Sequence, residues 1–436
     1  MKKVFLPFLL MGIVYSGFGQ SLKKVEKYLD DKNIEKAKTE LDAYLAKKGE
    51  DTEALYLKSK IYSTIADSAA LHGLVTGDAR AEAFEAFKKA YADSANVKLK
   101  MQILKDNYQP VFNMYSGYYA DAAAAFNDGA ANQDKARFAD AMNLFLKSND
   151  IGQYLAQNEI ANIGKIDSTL ILNVGKAALN AGKKDEALKY FQMLADADIY
   201  GTGGKAEESY RVPYQWLTLH YKDAGDSVNM IKYAEKGIKF FPGDDYYNFV
   251  LMDYYRENKN MPSLLKIYDK LVSNNPDSLN YHFNYANDIF GYIYNSDEGV
   301  VIQDKDNLLQ TLHAELDKAM ALDPNHVNTN WLYAQYHYNN GIELRDEANK
   351  IRSTKPEDVK KKAEMNEAAK ASFNKAIPLA EKAISLLEDK SLKKDKSRYK
   401  SIVNLMQNIY QSLSDKTNLK AYQDKYDNAD TKMVNE

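Results

Sequence analysis

Residues 211–278 divide without a gap into two units of 34 residues, 211–244 and 245–278, and that period constrains the fold more than any other feature of the chain. Pro242 and Pro276 close the two units, and Tyr221 and Tyr255 recur at the same offset. A period of this length marks stacked helical hairpins, because a single hairpin cannot bury its apolar face until a neighbour completes the core. A core that grows by repetition along one axis also lifts the usual limit on domain size, so 436 residues need not mean several globular domains.

The unit 211–244 carries Tyr214, Leu217, Thr218, Tyr221, Met230, Ala234, Gly237 and Pro242 at places set by a Trp-x2-Leu-Gly-x2-Tyr, Ala-x3-Phe, Pro pattern. In this it resembles the tetratricopeptide repeat (TPR), and with the N-terminal features below the chain looks like a TPR protein of the bacterial cell envelope. The resemblance implies an all-α fold, a helical-hairpin solenoid (TPR superhelix) with insertions in several repeats. It covers about nine hairpins over residues 20–426, with the closest matches in 168–324.

From residue 168, Val174, Gly175, Ala187, Phe191 and Leu194 fall in register, and Gly129, Phe138, Ala141, Phe145 and Ser148 do so one unit earlier. Small residues at Gly129 and Gly175 let two helices approach closely while Ala187 and Phe191 fill the space between them. The chain opens with a hairpin over 22–31 and 34–47, carrying Ala37, Leu41 and Tyr44. In the next unit Leu55 and Tyr62 are in phase, but Ala83, Phe87 and Ala90 arrive late, which makes 73–78 an insertion. Pro110 breaks or kinks the helical run that precedes it. The interval 342–373 lengthens both helices of its hairpin, residues 400–413 and 419–426 form a closing cap, and 427–436 is expected to be a disordered tail.

Lys2-Lys3, an apolar run over 4–15 and Gly17-Phe18-Gly19 read as a secretory signal peptide cleaved after Gly19. The expected location is therefore the periplasm or the exterior, without a lipid tether, since there is no cysteine to carry one. The absence of cysteine also excludes disulfides and thiolate catalysis. With 58 basic and 61 acidic residues the net charge is −3, falling to −5 without Lys2 and Lys3. No clustered basic surface invites nucleic acid, and no later segment is apolar enough to span a membrane.

The six histidines, His72, His220, His282, His313, His326 and His337, show no metal-ligand spacing, and neither a His-Glu-x-x-His nor a Gly-x-Ser-x-Gly motif occurs. The stretch Gly201-Thr202-Gly203-Gly204-Lys205-Ala206 lacks the first glycine and the final hydroxyl of a phosphate loop, and reads as a flexible connection. No enzyme activity, metal or cofactor is expected. Five Asp-Ser pairs, at Ser68, Ser94, Ser168, Ser227 and Ser278, four followed by an apolar residue and the third by Thr169, resemble a bacterial O-glycosylation sequon, although Asp and Ser are also preferred helix N-caps.

Tyrosine is abundant, 33 against 16 phenylalanines. Tyr62, Tyr221, Tyr255 and Tyr410 sit at the helix-packing position of the resemblance, which further implies that places 2, 5, 9, 12 and 13 of each first helix face a concave groove. Those places hold Tyr246, Phe249, Asp253, Arg256 and Glu257, then Asn280, Phe283, Asn287, Phe290 and Gly291, then Asn328, Trp331, Gln335, Tyr338 and Asn339, and finally Asn404, Asn408 and Gln411. Amides beside aromatics suit a peptide backbone or a sugar hydroxyl. The candidate ligand groove is accordingly Tyr246, Arg256, Asn287, Asn328, Trp331, Gln335, Tyr338 and Asn408. The expected function is a scaffold or adaptor holding a peptide segment or an envelope protein. The alternative is a glycan-binding component of an outer-membrane nutrient-uptake system.

Overall fold

A computed structural model describes residues 21–161, 167–296 and 300–435, so the expected signal segment lies outside the described residues. The chain forms two compact units, Met1–Tyr247 and Asn248–Glu436. In the first, α1 (Leu22–Asp30) pairs with α2 (Ile34–Lys48), α3 (Thr52–Ala66) with α4 (Ala79–Ala92), α6 (Gln109–Asn132) with α7 (Lys135–Gln157), α8 (Ser168–Asn180) with α9 (Lys184–Asp196), and α10 (Arg211–Asp223) with α11 (Ser227–Phe240). A short α5 (Val97–Lys105) stands between the second and third pairs, and α12 (Tyr246–Glu257) begins as the unit ends. The second unit continues with α13 (Met261–Asn274), then pairs α14 (Leu279–Tyr294) with α15 (Lys305–Leu322), α16 (Val327–Lys350) with α17 (Pro356–Lys390), and α18 (Lys396–Ser412) with α19 (Lys416–Asp427), before a single turn α20 (Ala429–Lys432). Among the described residues there is no β-strand. The fold is all-α, a helical-hairpin solenoid, with hairpins packed in chain order within each unit.

Local chemistry starts most of these helices. Asp51, Asp78, Asp167 and Asp226 are N-caps whose carboxylates accept backbone N–H groups one turn on, at 2.8–3.1 Å, satisfying donors that would otherwise have no partner. Ser278 caps α14 in the same way, so Asp and Ser of the sequon-like pairs do capping work at three of the five places. The break before Pro110 is real: Asn107 and Tyr108 are both left-handed, and Pro110 then sits in the first turn of α6, where its missing N–H costs nothing. The insertion read at 73–78 begins in the last residues of a 3₁₀ segment, Ala69–Leu74, and continues as bends up to Asp78, the cap of α4, and 342–373 does extend its hairpin, giving helices of 24 and 35 residues.

The small residues are where close approach demands them. A Cβ on Gly175 would lie 2.5 Å from the Phe191 ring, and one on Gly237 2.3 Å from Tyr247, both rings fully buried. Gly175→Val should therefore cost about 1–3 kcal/mol, read as a lower urea midpoint, and pairing it with Phe191→Leu should recover part of the loss. Gly117 serves the same purpose for a cation. Arg80 passes over it, buried, to Asp67 at 2.9 Å and Asp121 at 2.5 Å, tying the end of α3 to α4 and α6.

Two expectations change. Residues 201–206 form a closed turn rather than a loose connection: the Glu207 N–H reaches the Tyr200 carbonyl at 3.0 Å, and a Cβ on Gly201 would lie 1.9 Å from the Lys205 carbonyl oxygen. The tail is ordered through residue 435, since Ala429 and Met433, one helical turn apart, are buried in the C-terminal core and Asn435 bridges to Leu392. Two apolar residues at that spacing suffice to dock an otherwise polar segment.

Candidate functional site

Tyrosine explains much of how the helices are fixed. Buried or half-buried rings put their hydroxyls onto carboxylates of neighbouring elements: Tyr118 donates to Asp78 at 2.7 Å, Tyr115 to Asp167 at 2.5 Å, Tyr285 to Asp269 at 2.7 Å and Tyr333 to Asp317 at 2.7 Å. Asp78 and Asp167 are themselves N-caps, so one phenol locks the start of another helix. Burial and the adjacent carboxylate both push these phenols well above their usual range, keeping them protonated donors.

The same device builds the wall of a cleft in the second unit. Asp288, nearly buried on α14, accepts the hydroxyl of fully buried Tyr268 at 2.5 Å and both Nε and Nη2 of Arg256 at 2.9 and 2.8 Å. Arg256 also holds Asp253 at 2.9 Å. The hydrogen bond to Asp288 raises the guanidinium further above its ordinary value, so it is a permanent cation. Beside this clamp lies a cleft of about 220 Å³ lined by Tyr255, Arg256, Lys259, Met261, Leu264, Asn287, Asp288, Gly291, Tyr292, Asn295 and Ser296. Asn287, Gly291 and Asn295 are four residues apart along α14 and so lie on one face, with two exposed amides flanking a glycine that leaves the floor open. The apolar side is formed by the half-buried Tyr255 and Tyr292 and backed by the buried Met261 and Leu264.

Of the eight groove residues expected from sequence, Arg256 and Asn287 meet in this cleft, and Gly291 from the same register joins them. Arg256 arrives already engaged by two carboxylates. Tyr246 belongs to the first unit, half-buried by the edge of the Tyr247 ring at 5.5 Å. Asn328, Gln335 and Asn408 are half-buried on α16 and α18. Trp331 and Tyr338 pack against the C-terminal apolar core, Tyr338 with its ring 5.8 Å from Phe373, and the indole N–H of Trp331 is buried without a partner. Phe290 is buried as well, against Tyr294 at 4.8 Å, which corrects its assignment to an open face. Asn330, next to Trp331, is buried, its amide bonded to the Pro324 and His326 carbonyls at 3.0 Å.

The histidines are structural where they are buried. His282 bridges Glu315 at 2.5 Å and the Pro276 carbonyl at 2.8 Å, while burial pushes His337 down to about 4 and keeps it neutral against Tyr333. Among the described residues no group of three metal-ligating side chains comes together.

No family model matches this chain, and no curated protein does. Solved structures similar to it include the human IFIT1 dimer with m7Gppp-AAAA, at 14% identity over 92% of this chain and 94% of that one with a TM-score of 0.23. Another is the APC/C hetero-tetramer Cut9–Hcn1, at 12% identity over 94% of this chain and 86% of that one with a TM-score of 0.19. At those scores the reading of this chain rests on its own residues.

What the sequence reading missed is Asn295 and the Met261–Leu264 wall. They come from just past the end of α14 and from a second helix, outside a rule confined to places 2 to 13 of each first helix. The run Asn287-x3-Gly291-x3-Asn295 was the available signal.

Proposed function

We propose that this chain is a non-enzymatic helical-repeat scaffold that holds an extended peptide segment of a partner protein, with the cleft of Asn287, Gly291 and Asn295 as its principal contact. The observation that carries the reading is the pairing of two exposed amides with an apolar wall across a glycine. An amide offers donor and acceptor together and so matches a peptide backbone, while the half-buried Tyr255 and Tyr292 rings, backed by the buried Met261 and Leu264, take an apolar side chain. The clamp around Asp288 holds the wall rigid, which lowers the ordering cost of binding. The basic n-region and apolar run at residues 2–15 support an exported, envelope role for the scaffold, tested by whether the native protein's mass lacks residues 1–19.

Binding is tested with a photo-crosslinking residue placed at position 287 and, as a control, at exposed position 318, in the full chain mixed with a random peptide library. Adducts at 287 and none at 318 are expected. For a recovered peptide, Asn295→Ala should weaken binding about tenfold, the share of one or two hydrogen bonds, with helicity unchanged. Equal labelling at both positions, or none, overturns the assignment.

A further inference from the structure

A second cleft lies in the first unit and shares no residue with the cleft around Asn287. It has a volume of about 330 Å³ and is lined by Lys60, Ser63 and Thr64 of α3, Asp106 after α5, and Gln109, Pro110 and Asn113 of α6. The spacing explains the convergence, since 60, 63 and 64 share one face of α3 and 109, 110 and 113 form the first turn of α6. The connecting backbone is held in an unfavourable form, with consecutive left-handed Asn107 and Tyr108, at φ 50° and 54°. Such conformations cost free energy and collect at binding sites.

The polar groups are only partly used by the fold. Lys60 Nζ lies 3.1 Å from Asp106 Oδ2, which also accepts the Tyr56 hydroxyl at 2.7 Å, and Oδ1 accepts nothing among the described residues. The lysine keeps two further N–H groups. Gln109 donates to Asn113 Oδ1 at 2.6 Å, leaving the Asn113 amide N–H₂ directed elsewhere. Most telling is Ser63, 2% exposed, whose Oγ has no hydrogen-bond partner although it lines the cleft. A buried hydroxyl without a partner carries a desolvation penalty, and a ligand that bonds to it would relieve that penalty.

We propose that this cleft binds a small zwitterion, a free α-amino acid with a polar side chain. Net charge decides the class, because the paired Lys60 and Asp106 leave the site neutral while each retains capacity for one group of opposite sign. An α-carboxylate fits the two remaining N–H groups of Lys60, and an α-ammonium fits Asp106 Oδ1. Ser63, Gln109 and Asn113 then meet the polar side chain. No aromatic ring lines the cleft to cover the C–H face of a sugar, and the volume, low in the range of small-ligand pockets, suits one small molecule.

The test is titration calorimetry of the full chain with L-glutamine, N-acetyl-L-glutamine, L-glutamine methyl ester, L-leucine and glucose. Saturable binding of L-glutamine with a Kd on the order of 1 mM or tighter is expected, with the acetylated and esterified forms at least about tenfold weaker. Ser63→Ala should weaken L-glutamine binding about tenfold while leaving the urea midpoint unchanged or raised, since that hydroxyl has no protein partner to lose. Asn113→Ala gives a second variant on a half-buried position. Undetectable L-glutamine binding, equal binding of N-acetyl-L-glutamine, preference for glucose, or unchanged affinity in both variants overturns the proposal.

Discussion

Asp288→Ala should destabilise the second unit by about 3–5 kcal/mol, seen as an earlier urea transition by far-ultraviolet circular dichroism. The substitution strands two partners at once. Tyr268 is fully buried and its hydroxyl has no alternative acceptor in the hydrogen-bond pattern, while Arg256 loses both arms of a bidentate pair. Arg256→Ala, by contrast, removes a partly exposed side chain and should cost only about 1 kcal/mol. The double variant Asp288→Ala/Tyr268→Phe should recover part of the loss, because the orphaned hydroxyl leaves with its acceptor. A single Asp288→Ala variant as stable as the parent would show that the clamp does not organise the cleft.

Trp331→Ala should cost about 3 kcal/mol in the same measurement, the lower end of the range for large aromatic truncations because the ring is half rather than fully buried. Trp331→Phe should stay within about 1 kcal/mol of the parent. It keeps most of the ring packed on the C-terminal core and removes an indole N–H that is buried with nothing to bond. Peptide binding at position 287 should be unchanged in both. If Trp331→Ala instead unfolds with the parent and abolishes binding, Trp331 is a ligand contact and the packing role is wrong.

The fold was legible because its information is local. A period of 34, small residues at Gly129 and Gly175, and Asp or Ser at the starts of helices each specify a turn or a close approach that the structure then shows. The candidate cleft was legible only in part, since register brought Arg256 and Asn287 to one cleft while Trp331, Tyr338 and Phe290 pack elsewhere. A register rule treats every first helix alike, yet the 35-residue α17 and its partner α16 reach beyond one repeat and cover aromatic residues that a standard hairpin would leave open. The tyrosine–carboxylate pairs were illegible for a different reason. Tyr115 and Asp167 are 52 residues apart, and no periodicity within one repeat links a phenol to the cap of a later helix.

Trp216, edge-on to Phe191 at 5.5 Å and stacked on His220 at 4.9 Å, lies in the first unit, and Trp331 in the second. These are the only two tryptophans, so each unit carries its own intrinsic fluorophore. Trp216→Phe removes the tryptophan emission of one unit and Trp331→Phe that of the other, read with excitation selective for tryptophan over the many tyrosines and with no label attached. The emission of each variant during urea titration then dates the unfolding of a single half, and coincidence or separation of the two curves measures whether the halves melt as one cooperative body. With no native cysteine, a single introduced thiol would add an acceptor dye at a chosen position without competing chemistry.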